Sequence, residues 1–221
     1  LVLEGVFGRC SKVTKTSELI KKGHVANLKV NVIVLKHKEQ IFDGYQDEMD
    51  YLVEHEQRNH FIRNLVCDLK GNTLVLFNYV ERHGIPLYEM INNNTDRNVH
   101  LVYGGVDVDD REQIRKLVED ENDSIIVASY GTFSTGINIK RLHNVVFASP
   151  SKSRIRNLQS IGRVLRKGRD KTIATLYDIA DDISRDNGKN YTLLHLFERL
   201  KIYREEKFNY EIVEIKLKTY D

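Results

Sequence analysis

Along the middle of the chain, apolar residues gather in short continuous runs separated by amphipathic stretches. Thr73–Phe77, Val99–Tyr103, Ser124–Ala128, Asn144–Ala148 and Thr172–Tyr177 each carry apolar side chains at nearly every position, the pattern of strands buried on both faces of a parallel sheet. Between them lie segments with helical spacing. Leu87, Met90 and Ile91 share one face, and Gly84-Ile85-Pro86 marks where that helix becomes regular, because proline is tolerated only in a first turn. Asp109 and Glu112 have the spacing of a capping box ahead of Ile114, Leu117 and Val118. A further helix is expected from about Ser153 to Leu165. Strands alternating with helices imply right-handed crossovers and a parallel sheet, which places ligands at the carboxyl ends of the strands.

The flanks have a different texture. Leu28–Leu35 reads as a strand and Tyr45–Leu69 as one long charged helix with an intermittent stripe of Val53, Phe61, Leu65 and Leu69. After a polar loop, 181–190, a helix is expected with Leu193, Leu194, Phe197 and Leu200, then a half-exposed alternating strand over Phe208–Leu217. The acidic pairs Asp47-Glu48 and Asp181-Asp182 read as solvated surface. No apolar run approaches the ~20 residues needed to span a bilayer. Cys10 and Cys67 form neither a disulfide framework nor a metal motif, and an intracellular setting is expected. At 221 residues the chain can bury a sizeable core; it opens on Leu1 rather than Met, and reads as part of something longer.

The formal net charge of +2 conceals an uneven distribution. From Ile139 to Lys171 ten basic residues face a single acid, Asp170, so this stretch carries +9 and the remainder −7. A concentrated positive segment on an acidic body points to phosphate, of a nucleotide or of a nucleic-acid backbone. Two stretches sharpen that. Ala128–Ile139 follows a strand and is rich in Gly, Ser and Thr (Thr132, Ser134, Thr135, Gly136), which lets backbone amides and hydroxyls approach an anion. The tyrosines and phenylalanines read mainly as core fillers, with Tyr103 and Tyr130 at strand ends within reach of a ligand. Gln159, Arg163 and Arg166 recur at offsets of four and three residues, so a helix brings all three onto one face, with Gly162 allowing close backbone packing. Paired guanidiniums of fixed fork geometry hold polyphosphate and stabilise charge on a transferred γ-phosphate.

These residues carry a resemblance. Gln159–Arg166 (QSIGRVLR) resembles motif VI of superfamily 2 helicases, Ser134–Asn138 (STGIN) their motif V, Thr73–Phe77 their motif IV, and Tyr103-Gly104-Gly105 the element between IV and V. The segment from Thr16 to Gly23 and the pair Arg58-Asn59 are similar to the lead-in to the second motor domain in a branch that includes phage DNA helicases. The resemblance implies an α/β fold, a RecA-like three-layer sandwich with a mostly parallel sheet and N- and C-terminal extensions. It divides the chain into a lead-in (1–70), the RecA-like helicase C-terminal domain (71–180) and a C-terminal helix and strand (181–221).

By the same resemblance Arg166 is the arginine finger, Arg163 its companion and Gln159 the sensor of the nucleotide or its attacking water. Gly136 and Asn138 stand where the family meets the nucleotide; many relatives have Asp where this chain has Asn138. Ser134, Thr135, Asn78 and Gly104 match positions that touch nucleic acid, and Lys152 is a further candidate for a backbone contact. The implied partners are ATP with Mg²⁺, DNA of branched or forked structure, and a first RecA-like domain. That domain is expected to hold the phosphate loop and the metal ligands, because no GxxxxGK[ST] motif occurs in this chain; the chain alone is expected to hydrolyse little ATP. Two other readings stay open: an ATP-independent nucleic-acid-binding module, and the motor of an RNA helicase or restriction-enzyme subunit.

Overall fold

The computed structural model describes residues 27–105, 109, 120–135, 142–149, 153, 161–162, 173–184 and 188–217, with the side chains of 134 and 135 outside that set. Its strands are β1 (Asn27–Lys36), β2 (Thr73–Phe77), β3 (Val99–Val102), β4 (Ile125–Ser129), β5 (Asn144–Phe147), β6 (Ile173–Asp182) and β7 (Asn209–Lys216). They form one sheet in the order β3-β4-β2-β5-β6-β1-β7. All six pairings are parallel, where a mostly parallel sheet was expected. Parallel neighbours require crossovers, and the helices that supply them cover both faces. Among the described residues these include α1 (Tyr45–Glu54), α2 (Glu56–Asp68), α3 (Ile85–Asn92), α4 (Tyr130–Thr135) and α5 (Tyr191–Glu206).

Alternation along each strand divides the core in two. Val30, Val32, Leu74, Leu76, Ile126, Phe147 and Leu176 face a layer that includes Phe133, Ile161 and, from α5, Leu196, Leu200 and Tyr203. Ile33, Leu35, Val75, Phe77, Val127 and Ile179 face Ile62 and Val66 of α2 and Leu87 and Ile91 of α3. The result is the three-layer α/β architecture of the RecA-like fold.

Four local expectations change. The single helix of 45–69 is two helices, broken at His55, whose backbone is extended (φ −70°, ψ 109°) and whose ring accepts the Arg58 N–H as an N-cap at 3.3 Å. Second, β6 continues to Asp182 because it pairs with β1 over its whole length, from Asn27 opposite Ile173 to Lys36 opposite Asp182. Third, β1 and β7 join this same sheet, with β1 buried between β6 and β7 and β7 at the edge. Fourth, α5 buries Thr192, Leu193, Leu196, Arg199, Leu200, Tyr203 and Glu206, leaving Leu194 and Phe197 exposed. Apolar residues alone mark this face only in part, because Thr192, Arg199 and Glu206 share it with Leu193 and Leu200. Among the described residues no helix is long and apolar enough to cross a membrane.

Between β2 and α3 the chain makes a π-helical turn, Val80–Gly84, and Pro86 falls in the first turn of α3 as expected. Gly84 lies flat against β2: a Cβ there would meet the Phe77 ring at 2.3 Å. Gly84→Ala is therefore expected to destabilise the fold by about 1–3 kcal/mol through overpacking. Gly104→Ala, whose Cβ meets nothing within 4 Å, is expected to stay within about 0.5 kcal/mol of wild type; urea denaturation of the two variants checks the contrast.

Candidate functional site

A parallel sheet sends every strand out at the same edge, so the residues that follow the strands gather there whatever their distance in sequence. Asn78 follows β2, Tyr103-Gly104 follow β3, α4 follows β4 directly, and Ala148-Ser149 follow β5. β2 has β4 on one side and β5 on the other, so Asn78 stands between the exits that lead to Ser134–Thr135 and to Ser149.

Of the residues singled out from sequence, Asn78 is half-buried and its N–H donates to Ser149 Oγ at 3.3 Å. Gly104 is exposed beyond β3. Ser134 and Thr135 close α4. Gly136, Asn138, Lys152, Gln159, Arg163 and Arg166 lie outside the described residues. Between Gln159 and Arg163, Ile161 is buried and belongs to the same core cluster as Tyr130 and Phe133. Gly162 is exposed, and a Cβ there would meet nothing within 4 Å among the described residues.

Two candidates at the exit of β4 have internal duties instead. Thr132 is buried; its N–H donates to Ser129 Oγ (3.3 Å), and the Ser129 hydroxyl donates to Thr132 Oγ1 (2.9 Å), which fastens α4 to the strand. Tyr130 is no platform for a ligand: its ring is buried against Phe147, and its hydroxyl donates to the Ser149 carbonyl at 3.1 Å.

Sequence reasoning missed a buried polar network behind this edge. Arg58, in the first turn of α2, donates from Nε to Asp181 Oδ1 at 2.8 Å and from a terminal nitrogen to the Ala148 carbonyl at 2.7 Å. His37 Nε2 donates to the same Asp181 oxygen at 2.8 Å. Beside them, His83 contacts Ser149 Oγ through Nδ1 (3.0 Å) and Asn59 Oδ1 through Nε2 (3.2 Å), and Asn59 Nδ2 donates to the Val53 carbonyl (2.8 Å). Asp181 is thus a fully buried carboxylate at the end of β6, and Asp182 pairs with Lys36, correcting the reading of both as solvated. Glu48 is also buried: it accepts the N–H groups of Tyr191 (2.8 Å) and Thr192 (2.7 Å) and caps α5 from another helix. Charged residues normally stay exposed unless paired; here the partners lie 123 positions away for Asp181 and Arg58, and no local pattern reveals them. The one available signal was the Arg58-Asn59 pair in the lead-in.

The electrostatics follow from this burial. Burial pushes the His83 imidazole down to about 3, reinforced by the nearby Arg58 guanidinium and opposed in part by Asp181. Burial would push the Asp181 carboxyl up, but the Arg58 guanidinium and His37 outweigh it and hold the group well below the usual carboxylate range. Among the described residues there is no group of three or more His, Cys, Asp or Glu side chains that could hold a metal ion.

Residues 57–168 match the model of the helicase conserved C-terminal domain, half of the chain. The chain belongs to the helicase C-terminal domain family. It is 39% identical to the ATP-dependent DNA helicase uvsW of Enterobacteria phage T4 in an alignment of 231 residues, covering 96% of this chain and 46% of that protein. Against the crystal structure of T4 UvsW the TM-score is 0.72 at 36% identity, over 88% of this chain and 42% of that one. A second relative, protein L396 of Acanthamoeba polyphaga mimivirus, whose name assigns it as an ATP-dependent RNA helicase, is 30% identical over 159 residues, 70% of this chain and 28% of that protein. The chain therefore spans less than half the length of each relative, and as a helicase C-terminal domain it is similar to one part of them.

The buried imidazole gives this domain an acid-sensitive fold. His83 in the unfolded chain takes up a proton near its ordinary pKa of 6.5, whereas in the fold it resists until about pH 3. The unfolded state thus binds more protons across that window, and stability falls as pH drops through it, by up to about 1.4 kcal/mol per pH unit from this residue. Asp181 adds its own loss only at lower pH, below the ordinary carboxylate pKa of 3.8. Urea denaturation at about pH 7, 6 and 5 is expected to show this slope, and His83→Gln to reduce it by up to about one proton's worth.

Proposed function

We propose that this chain is the second motor domain of an ATP-dependent DNA helicase or translocase that remodels branched or forked DNA in recombination, repair or replication-fork processing. The observation that carries the reading is the order in which the chemistry-bearing segments leave one sheet edge. The exit of β2 leads to Asn78, that of β4 to Ser134–Asn138, and that of β5 to the Gln159, Arg163 and Arg166 array, in a chain 39% identical to a DNA helicase.

In this reading ATP is the substrate and sits in a cleft between two RecA-like domains. The first domain grips its phosphates and supplies the ligands of the accompanying Mg²⁺. This domain contributes Arg166 as the arginine finger, Arg163 as a second cation toward phosphate, and Gln159 as the sensor of the nucleotide or attacking water, with Gly136 and Asn138 toward the nucleotide's sugar. A guanidinium aimed at the γ-phosphate is most useful where charge develops during transfer, so the arginines act on the rate more than on binding. Ser134, Thr135, Asn78, Gly104 and Lys152 hold the nucleic-acid backbone, and closure and reopening of the cleft moves the held strand. The chain by itself hydrolyses little ATP, lacking the phosphate grip, and the full protein works in the cytoplasm of an infected or bacterial cell. The name of the mimivirus relative favours RNA as the second reading; hydrolysis stimulated by single-stranded RNA and not by forked DNA would select it.

Arg166→Ala in the full-length protein is expected to lower nucleic-acid-stimulated ATP hydrolysis by a factor on the order of 10³–10⁵, by analogy with other arginine fingers, while the affinity for forked DNA changes little. Steady-state hydrolysis and fluorescence-anisotropy titration measure both. Collapse of DNA binding with unchanged turnover per bound enzyme would remove Arg166 from the motor and favour an ATP-independent binding module.

A further inference from the structure

At the carboxyl end of β2 the sheet's own bonding gives way to side chains. Leu76 lies opposite Phe147, and its carbonyl accepts the Ala148 N–H at 3.0 Å. In a regular parallel ladder the next N–H of β2 on that side, that of Asn78, would meet the Ala148 carbonyl. That carbonyl is held by Arg58 at 2.7 Å, and the following one, of Ser149, accepts the Tyr130 hydroxyl at 3.1 Å. The Asn78 N–H donates instead to the side chain of Ser149 at 3.3 Å. The place of Asn78 thus depends on how one hydroxyl is turned, and a serine hydroxyl rotates to suit whatever acceptor its proton finds.

His83 supplies that acceptor. Asn59 donates its amide nitrogen to the Val53 carbonyl, so its oxygen faces the imidazole and must be met by an N–H on Nε2. In the neutral ring Nδ1 then accepts, and the 3.0 Å bond runs from the Ser149 hydroxyl to it. Burial keeps the ring neutral and so preserves the acceptor. The backbone delivers the ring through the π-helical turn, in which the Gly84 N–H reaches back five residues to the Tyr79 carbonyl at 2.8 Å; this rare turn recurs at functional sites. We propose that His83 is a positioning residue for nucleic-acid binding, acting through the Ser149 hydroxyl to hold Asn78 in place at the exit of β2. The proposal rests on the reading of Asn78 as a contact to the nucleic-acid backbone. A filler of the same cavity would need no directed bond on each ring nitrogen.

The test uses the full-length protein without nucleotide, a fluorescein-labelled DNA fork titrated by anisotropy, and thermal melting to follow the fold. Asn78→Ala is expected to weaken binding on the order of 10-fold, the loss of one hydrogen bond to a charged group. Ser149→Ala and His83→Gln are expected to weaken it by no more than that; the glutamine keeps a donor toward Asn59 and leaves the Ser149 hydroxyl without its acceptor. His83→Asn places an acceptor near the position of Nδ1 and gives up Asn59, and is expected to keep most of the wild-type affinity although it melts lower. In an Asn78→Ala background, Ser149→Ala and His83→Gln are expected to cause no further loss, because residues that act through one another are not additive. Full additivity in that background overturns the proposal, as do affinities that follow melting temperature regardless of which ring nitrogen is replaced. So does wild-type affinity in Ser149→Ala when Asn78→Ala binds weakly. Should Asn78→Ala itself bind as the wild type does, the assignment of Asn78 to nucleic acid falls, and the role of His83 with it.

Discussion

A parallel strand cannot reach its neighbour through a tight turn. Every pairing in this sheet is parallel, so each return passes over a face as a helix or longer crossover, and every strand leaves at one edge. That geometry brings Asn78, Gly104, Ser129, Ser149 and Asp181 to a common border although about a hundred residues separate the first from the last. It also crowds backbone and side-chain polar groups at the border. Those not left for a ligand must be satisfied internally, and the Ser149, His83, Asn59 and Arg58 bonds do this.

Strand β6 illustrates how charge specifies the arrangement. Asp178 and Asp181 are three positions apart and so point to opposite faces. Asp178 accepts Arg199 of α5 at 2.8 Å and the Tyr203 hydroxyl at 2.8 Å on one face, and Asp181 accepts Arg58 of α2 on the other. Buried ion pairs of this kind add little net stability over apolar packing, yet breaking one by removing a partner costs about 3–5 kcal/mol. A slip of one residue in β6 would send each carboxylate to the wrong face and away from its arginine. The two pairs therefore select the register more than they deepen the energy well.

The central strands were legible in sequence because burial on both faces writes an unbroken apolar run: Thr73–Phe77 is buried at every position. The order of the motif segments was legible for the same reason, since each follows such a run. The interior polar network was not. Glu48, Arg58, Asp181 and Arg199 look like surface residues in any local window, and only the tertiary fold supplies the partner that permits burial. The same blindness left the inward face of α5 half read: Leu193 and Leu200 are buried there, but so are Arg199 and Glu206. His55, capping α2 with its ring, divided a helix that charge patterning read as continuous. The arginine array, Gly136, Asn138 and Lys152 fall outside the described residues, so their roles rest on motif and kinship.

The place of β1 inside the sheet bears on how the domain is made. Its partner residues on β6 lie 146 positions further along the chain, and its other neighbour, β7, is later still. Of the described strands β1 is synthesised first, and its two partners follow only after β2 to β5, a high-contact-order pairing that slows folding and leaves a strand edge exposed meanwhile. Of the described strands, β2 to β5 fall within the segment matched by the family, residues 57–168. β1, β6 and β7 thus complete a sheet whose other described strands fall within the family segment, and the similarity to the phage protein, which extends over 96% of this chain, takes them in.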